Sequence, residues 1–411
     1  MKKFVFILLI VCLILGVAVG YVVAKNGANG SGEPVSLTDP EGASAAEPDA
    51  VVTDPATSEP IAVRKLDYEA IYALHEPDEV VGSVNGSDVS WDEYFYWLYS
   101  EGLQIEQELE ELAYYGQKLD WDEKLSSDSD LTLEGYLLAL TADDVVPLHV
   151  VEAVAEENGV ALTAENEEQL RALLQQRIEA SGVEDEEAFD AMLEREMIPR
   201  AVLDRLDRAN YLYQNSFIAL YGADGEKVPE ETALAYLRDN GYLCAAHILF
   251  ATFDLETYER LDEAAIAEKR SQAEAAAAEL RAIEDPAARA QRFAELKEQY
   301  CDDKDGARLF PDGYLFSAGS GAMDEEFEAG VKALKENEVS EPVETVYGYH
   351  VILRLPLDAD MTMQYSEADT PLSARAVYAN EQFNAMLDGR LEQSAFEPRD
   401  GFSLDLLQYL K

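Results

Sequence analysis

Four histidines, three cysteines and a large excess of carboxylates are the chemically capable side chains of this 411-residue chain. The histidines are His75, His149, His247 and His350. Cys12 falls in an N-terminal apolar run, which leaves Cys244 and Cys301. Three cysteines make neither a disulfide framework nor a four-cysteine zinc site. No His-Glu-x-x-His helix and no glycine-rich phosphate loop is present. His247, His350 and Cys301 offer no closely spaced ligand pair, so neither a metal nor another cofactor is expected. Residues 243–250 and 350–354, which carry His247 and His350, read as apolar strands, where a lone histidine is more often structural than catalytic. Against 83 Asp and Glu stand 31 Lys and Arg, a net charge of −52. A phosphate backbone or an anionic lipid surface needs a cationic face, so neither nucleic acid nor lipid headgroups are expected partners.

The elements that must position these groups fall into distinct stretches. Lys2 and Lys3 precede an uncharged apolar run over residues 4–24, about 31 Å of helix at 1.5 Å per residue, enough to cross a bilayer. It reads as an uncleaved signal anchor over residues 1–25. Val22-Val23-Ala24 is a weak cleavage site, and bulky Val11 precedes Cys12 where a lipid-anchor signal has a small residue. The lysines before the run put the N-terminus inside and the bulk of the chain outside the cytoplasmic membrane, a single-pass arrangement. Residues 26–63, rich in Gly, Ser, Ala, Pro and acids, read as a disordered linker.

Residues 64–240 read as mainly helical. They open with a hairpin whose turn is Asn85-Gly86. Ser90 with Glu93 three residues on then forms a capping box before a helix carrying Tyr94, Phe95, Trp97 and Leu98. Leu170, Leu173, Leu174 and Ile178 share one helical face, as do Phe189, Met192, Leu193 and Met197, and Pro199 breaks the run. A bundle with wet acidic faces accounts for this pattern better than a specialised small-molecule pocket, and helices with exposed aromatic grooves would also hold unfolded peptide.

Residues 241–357 alternate strand and helix, which predicts a compact α+β domain. After the strand of His247 comes an alanine-rich helix over 264–283 with Ile266, Ala273, Ala277 and Leu280 inward. A helix carrying Phe293, Leu296 and Tyr300 follows, then a loop through Pro311-Asp312-Gly313, a short helix near 327–334, and strands over 340–345 and 350–354. Residues 358–411 contain a final helix whose stripe of Phe383, Met386, Leu387 and Leu391 must be buried somewhere.

Ala246-His247-Ile248-Leu249, Phe293-Ala294-Glu295-Leu296, Asp312-Gly313-Tyr314-Leu315-Phe316, Met323, Phe327-Glu328 and the run from Ser340 to His350 stand in one order and at one spacing. Together they resemble a parvulin-type (PpiC-like) peptidyl-prolyl isomerase domain, over about residues 244–355. The hairpin and capped helix at 80–98 resemble, more loosely, the N-terminal module of membrane-anchored foldases of the PrsA and SurA kind. The helix at 378–391 looks like the one that returns to that module. The resemblance implies a parvulin-like α+β domain inserted in a mainly α-helical chaperone module that is completed by residues 358–411. It further implies a hydrogen-bonded pair, His247 and His350, with Asp303 beside it, Cys301 outside the site and Thr345 linking the histidines. It implies a proline pocket of Met323 and Phe327 with Phe316 behind, and substrate contact at Tyr347, where the family more commonly has a small hydroxyl residue. Ala251 stands where phosphate-selecting parvulins carry a basic residue.

The chemistry this implies is physically simple. The barrier to X-Pro isomerisation is amide resonance, near 18–20 kcal/mol, so a dry pocket that grips the proline and favours the twisted amide accelerates the step without nucleophile or metal. Two function classes follow: an isomerase and chaperone acting on unfolded exported polypeptides with Xaa-Pro bonds, or a holdase of parvulin fold that only binds them.

Overall fold

The computed structural model describes residues 61–411 apart from 127, 255–256, 258, 311–312 and 366–370. The expected transmembrane helix at 1–25, nearly all of the 26–63 linker and the Pro311-Asp312 turn lie outside the described residues. Among the described residues no helix is long and apolar enough to cross a membrane. The chain divides into two compact units, one comprising residues up to Ala219 together with Asn384–Lys411, the other Leu220–Phe383.

The first unit is mainly helical. A short helix, α1 (Tyr68–Tyr72), precedes the hairpin β1 (Val80–Val84) and β2 (Ser87–Ser90). Asn85 and Gly86 take φ of 52° and 84°, the left-handed pair that a two-residue hairpin turn requires. The helices α2 (Trp91–Tyr114), α3 (Leu133–Asp144), α4 (Val146–Glu157), α5 (Ala164–Ser181), α6 (Glu186–Arg195) and α7 (Arg200–Tyr221) follow. Ser90 caps α2, its Oγ accepting the Glu93 N–H at 3.3 Å. The expected capping box is only half present, because the Glu93 carboxylate does not turn back to the cap. It is buried and accepts from His149 Nε2 at 2.9 Å and from Arg205 Nη1 at 2.6 Å, and Arg205 also grips Glu152. Leu174, Ile178, Phe189, Met192 and Leu193 pack with Leu203. Met197 drops out of its expected stripe: α6 ends at Arg195, and Met197 turns the chain at φ 56°.

The far end of the chain completes this unit. The long helix α13 (Ala374–Gln393), which belongs to this unit from Asn384 on, buries Leu387 there. Strand β9 (Phe396–Pro398) then adds antiparallel to β1, giving the order β2-β1-β9. A Cβ on Gly82 would lie 2.3 Å from the Phe396 ring, so this pairing demands glycine there. Leu66 pairs with Leu410, and the Asp67 N–H donates to the Tyr409 carbonyl at 2.7 Å.

The second unit is mixed. After α8 (Glu230–Asp239), β3 (Tyr242–Ala251) runs through the middle of a four-stranded antiparallel sheet. Helices α9 (Glu263–Arg281), α10 (Pro286–Tyr300) and α11 (Lys304–Leu309) precede β4 (Tyr314–Ser317), and α12 (Glu325–Lys332) leads to β5 (Val343–Thr345) and β6 (Gly348–Leu355). The sheet order is β4-β3-β6-β5. Two elements absent from the sequence reading, α11 and β4, fall where a loop is expected, and the strand expected over 340–345 is confined to Val343–Thr345. A hairpin of β7 (Thr362–Tyr365) and β8 (Pro371–Ser373) ends the unit's strands.

Strand alternation sorts the residues of β3. Ala246, Ile248 and Phe250, opposite Leu353, Val351 and Tyr349, pack with Ala273, Ala277, Leu280, Phe293 and Leu296 of α9 and α10. Tyr300, at the end of α10, is 39% exposed. The other face carries Ala245 opposite Arg354 and His247 opposite Ile352, and there Ala245 and Ile352 pack with Phe316, Phe327 and Val331.

In the helical unit Asp144, only 2% exposed, donates to Glu101 and carries a second oxygen without a partner. Burial, and then the Glu101 charge, push its carboxyl up to about 8. A proton kept in the folded state up to about pH 8 and released by the unfolded chain near 3.8 stabilises fully below about pH 4. That contribution is lost as pH rises through about 8. Asp144→Asn keeps a neutral donor, so it will flatten this dependence and raise the Tm of the helical unit at pH 8.5 by on the order of 5 °C, with no gain at pH 4, as read by scanning calorimetry.

Candidate active site

The sheet register builds a row of polar side chains. Tyr314 lies opposite Ala245, His247 opposite Ile352, His350 opposite both Leu249 and Val343, and Thr345 opposite Gly348. Tyr314, His247, His350 and Thr345 therefore stand on one face, each a diagonal step from the next across β4, β3, β6 and β5. Diagonal neighbours are within reach of long or ring side chains.

The row is hydrogen-bonded throughout. His247 Nδ1 and His350 Nδ1 are 2.8 Å apart, His247 Nε2 and Asp303 Oδ2 3.0 Å, and Thr345 Oγ1 and His350 Nε2 2.8 Å. Of the two imidazoles Thr345 bonds His350: the rings contact each other directly, and the threonine stands at the end of the row. The Thr345 oxygen also accepts the Tyr347 N–H at 3.1 Å.

Asp303 fixes the polarity of the row. The His247 hydrogen bond, helped by the Tyr314 hydroxyl at 2.7 Å and the Gly306 N–H at 2.9 Å, holds its carboxyl far below the usual range. An ionised Asp303 only accepts, so His247 donates to it from Nε2, and one of the two facing Nδ1 atoms donates to the other. Burial, reinforced by the His247 charge, pushes His350 down to about 3. Asp303 occupies the N-cap of α11, and a Cβ on Gly306 would meet the Tyr314 hydroxyl at 1.9 Å. That close approach explains glycine in a helix of six residues.

Above the imidazoles sits an apolar group. The Phe327 ring stands edge-on to both, with centroids 5.6 Å from His247 and 5.4 Å from His350. Phe316 lies 6.3 Å behind Phe327, and Met323 packs against the same cluster. Asp324 caps α12 and thereby sets the start of the turn bearing Phe327. Seven of the eight expected residues, His247, Asp303, His350, Thr345, Met323, Phe327 and Phe316, come together here. Tyr347 does not join the apolar group; it projects from the β5–β6 turn, its ring 6.4 Å from Phe253. Cys301 is buried with Sγ against the Leu249 N–H and the His247 and Asp303 carbonyls, and burial raises its thiol. Among the described residues no three His, Cys, Asp or Glu are placed to hold a metal. Ala251 is buried and presents no cation. Tyr314 is the residue that sequence reasoning missed. It stands in a motif already noted, but its hydroxyl has a partner only once β4 pairs with β3.

Residues 247–355, which hold this whole row, match the rotamase family, a PPIC-type PPIASE domain. Foldase protein PrsA 1 of Bacillus cereus is 43% identical over 60 residues, 15% of this chain and 20% of that protein. Foldase protein PrsA of Bacillus subtilis is 36% identical over 70 residues, 17% of this chain and 23% of that one. The chain thus spans about a fifth of the length of the curated relatives it matches. The crystal structure of PrsA from Bacillus subtilis aligns at 19% identity over 65% of this chain and 89% of that one, with a TM-score of 0.23, too low to carry an argument.

The low-lying His350 gives the site a pH signature. A histidine whose folded value sits near 3 against 6.5 unfolded stabilises fully above about pH 6.5, and the contribution disappears as pH falls through about 3. Urea midpoints of the mixed unit should decline across that window, and His350→Gln should remove the slope there. In an NMR titration of the wild type the His350 ring should stay neutral down to about pH 4.

Proposed function

We propose that the parvulin-type domain accelerates cis/trans exchange of Xaa-Pro bonds in unfolded or partly folded exported polypeptides, and that the helical unit holds those clients as a chaperone. The observation that carries the reading is the unbroken row Asp303–His247–His350–Thr345 lying under the apolar group of Met323, Phe327 and Phe316. The apolar side chains grip the proline ring. The paired imidazoles orient the wall of the site and offer a fixed dipole to the carbonyl as the amide twists, and stabilisation confined to the twisted state is what accelerates the step. Asp303 and Thr345 act through the histidines, holding their tautomers.

The organisation that goes with this reading is a parvulin-type domain, residues 241–357, inserted between a helical module at 64–240 and its completing segment at 358–411. The apolar run at 4–24 anchors the chain by a single pass, with the folded part extracytoplasmic. Exposed Tyr114 and Tyr115 at the end of α2, with Leu125 and Leu131 beyond it, favour client binding by the helical unit.

The test is exchange NMR on an Ala-Pro peptide with the chain from residue 64. The wild type should accelerate exchange, with chelator without effect, and phosphorylation before the proline should confer no advantage. Met323→Ala and Phe327→Ala should each lower kcat/KM about tenfold or more, the equivalent of roughly 1.4 kcal/mol of lost stabilisation. A folded wild type that leaves exchange at its uncatalysed rate removes the isomerase reading and leaves the holdase.

A further inference from the structure

One carboxylate oxygen in the polar row carries two side-chain donors. Asp303 Oδ1 accepts the Gly306 N–H at 2.9 Å, while Oδ2 accepts both the His247 Nε2–H at 3.0 Å and the Tyr314 hydroxyl at 2.7 Å. The two donors on Oδ2 come from neighbouring strands, His247 from β3 and Tyr314 from β4, and their rings meet edge to face with centroids 5.2 Å apart. An oxygen shared in this way gives less to each donor than it would give to one alone. The lengths follow that division. A nitrogen bonded to a carboxylate ordinarily stands about 2.7–2.9 Å from it; His247 stands beyond that range from Asp303 and only 2.8 Å from His350.

The surroundings of Tyr314 keep its hydroxyl in this role. Burial, and then the bond to Asp303, raise the hydroxyl well above its usual range, so it remains a donor. The Tyr314 ring packs against the cluster of Phe316 and Phe327 that Met323 also joins. Its oxygen lies where α11 lacks a side chain: a Cβ on Gly306 would be 1.9 Å from the hydroxyl and 2.2 Å from Asp303 Oδ2. A purely apolar packing role requires a ring on β4. It requires neither a hydroxyl on that ring nor a glycine within a helix facing it.

We infer that Tyr314 is a positioning residue for the isomerase reaction: by taking a share of Asp303 Oδ2 it limits how firmly that carboxylate draws His247, and so keeps the His247 ring on His350 beneath Phe327. The inference rests on the isomerase reading of this site and adds to it a residue that acts through Asp303. Without the hydroxyl, Oδ2 serves His247 alone. That bond shortens, and the ring shifts toward Asp303 at the expense of His350. The apolar group keeps all its rings, so the grip on proline is preserved and the loss falls on turnover.

The test is Tyr314→Phe in the full-length chain, which keeps the ring and deletes one oxygen; circular dichroism verifies the fold. Exchange NMR on an Ala-Pro peptide should give a kcat about five- to tenfold lower, with KM within about twofold of wild type. Tyr314→Leu, which also removes the ring, should raise KM as well. With only four histidines in the chain, 15N-labelled rings are readily assigned, and the His247 Nε2–H resonance should move downfield in Tyr314→Phe, as a strengthened hydrogen bond requires. Asp303→Ser keeps a capping oxygen for α11 but no carboxylate. In that background Tyr314→Phe should cost nothing further, the non-additivity of a residue that acts through another. An unchanged kcat, a resonance that stays or moves upfield, or an equal loss in the Asp303→Ser background overturns the assignment. A wild type that leaves exchange at its uncatalysed rate sinks the isomerase reading instead, and the resonance alone then decides whether Tyr314 governs the hold of Asp303 on His247.

Discussion

The hydrogen bond between the His247 and His350 rings, 2.8 Å from nitrogen to nitrogen, constrains most of the mixed unit. Two imidazoles buried side by side bring four ring nitrogens out of water, and any one left without a partner costs on the order of 1–3 kcal/mol. Their mutual bond satisfies two. The third needs Asp303, so the chain after α10 must deliver that carboxylate, and it does so by making it the cap of α11. The fourth needs Thr345, so β5 must pair with β6 in the one register that sets the hydroxyl diagonal to His350. A one-residue slip of either strand would send the ring to the α9–α10 face, among Ala273, Leu280 and Phe293. The same requirement explains the glycine at 306 and the position of Tyr314.

Much of this frame was legible because it depends on local chemistry. The Asn85-Gly86 turn, the Ser90 cap and the alanine stripe of α9 follow from dihedral preference, capping and period. His247 and His350 read as strand residues for the same reason, and their pairing with each other came from family resemblance, not from spacing. What stayed hidden depends on contacts distant in sequence. Helix α11 is six residues long, with Gly306 at its centre, so no periodicity announces it. Strand β4 has four residues and exists by pairing with β3. Glu93 sits where a capping box wants it, yet a buried histidine 56 residues away and an arginine 112 residues away offer it more than the cap does. The link from Thr345 to both histidines was implied by the family resemblance alone; the register sets its hydroxyl on His350.

The helical unit meets the excess of acid in two different ways. Some carboxylates are buried on arginine: Asp207 receives a two-pronged contact from Arg177, and Glu93 shares Arg205 with Glu152. With only 31 basic residues for 83 acids, not every buried carboxylate has a cation. At Asp144 and Glu101 a proton serves instead. Neutralisation by a proton depends on pH where pairing with arginine does not, so the two halves of the interior respond differently to their surroundings.

The helical unit is discontinuous in sequence: β9 and the pairing of Leu66 with Leu410 belong to it, while residues 220–383 lie elsewhere. A chain that emerges from the ribosome N-terminus first therefore presents its elements out of step with their partners. The edge of β1 waits, unpaired, through more than 300 residues of synthesis for β9, and an unpaired edge invites association with other chains. The mixed unit is contiguous and has every strand of its sheet once residue 355 is out. Were it to fold before the chain end emerges, it would shorten the loop that the helical unit must close and lower the entropic cost of that closure. The order of emergence thus makes the inserted unit an internal clamp for the assembly of the one that surrounds it in sequence.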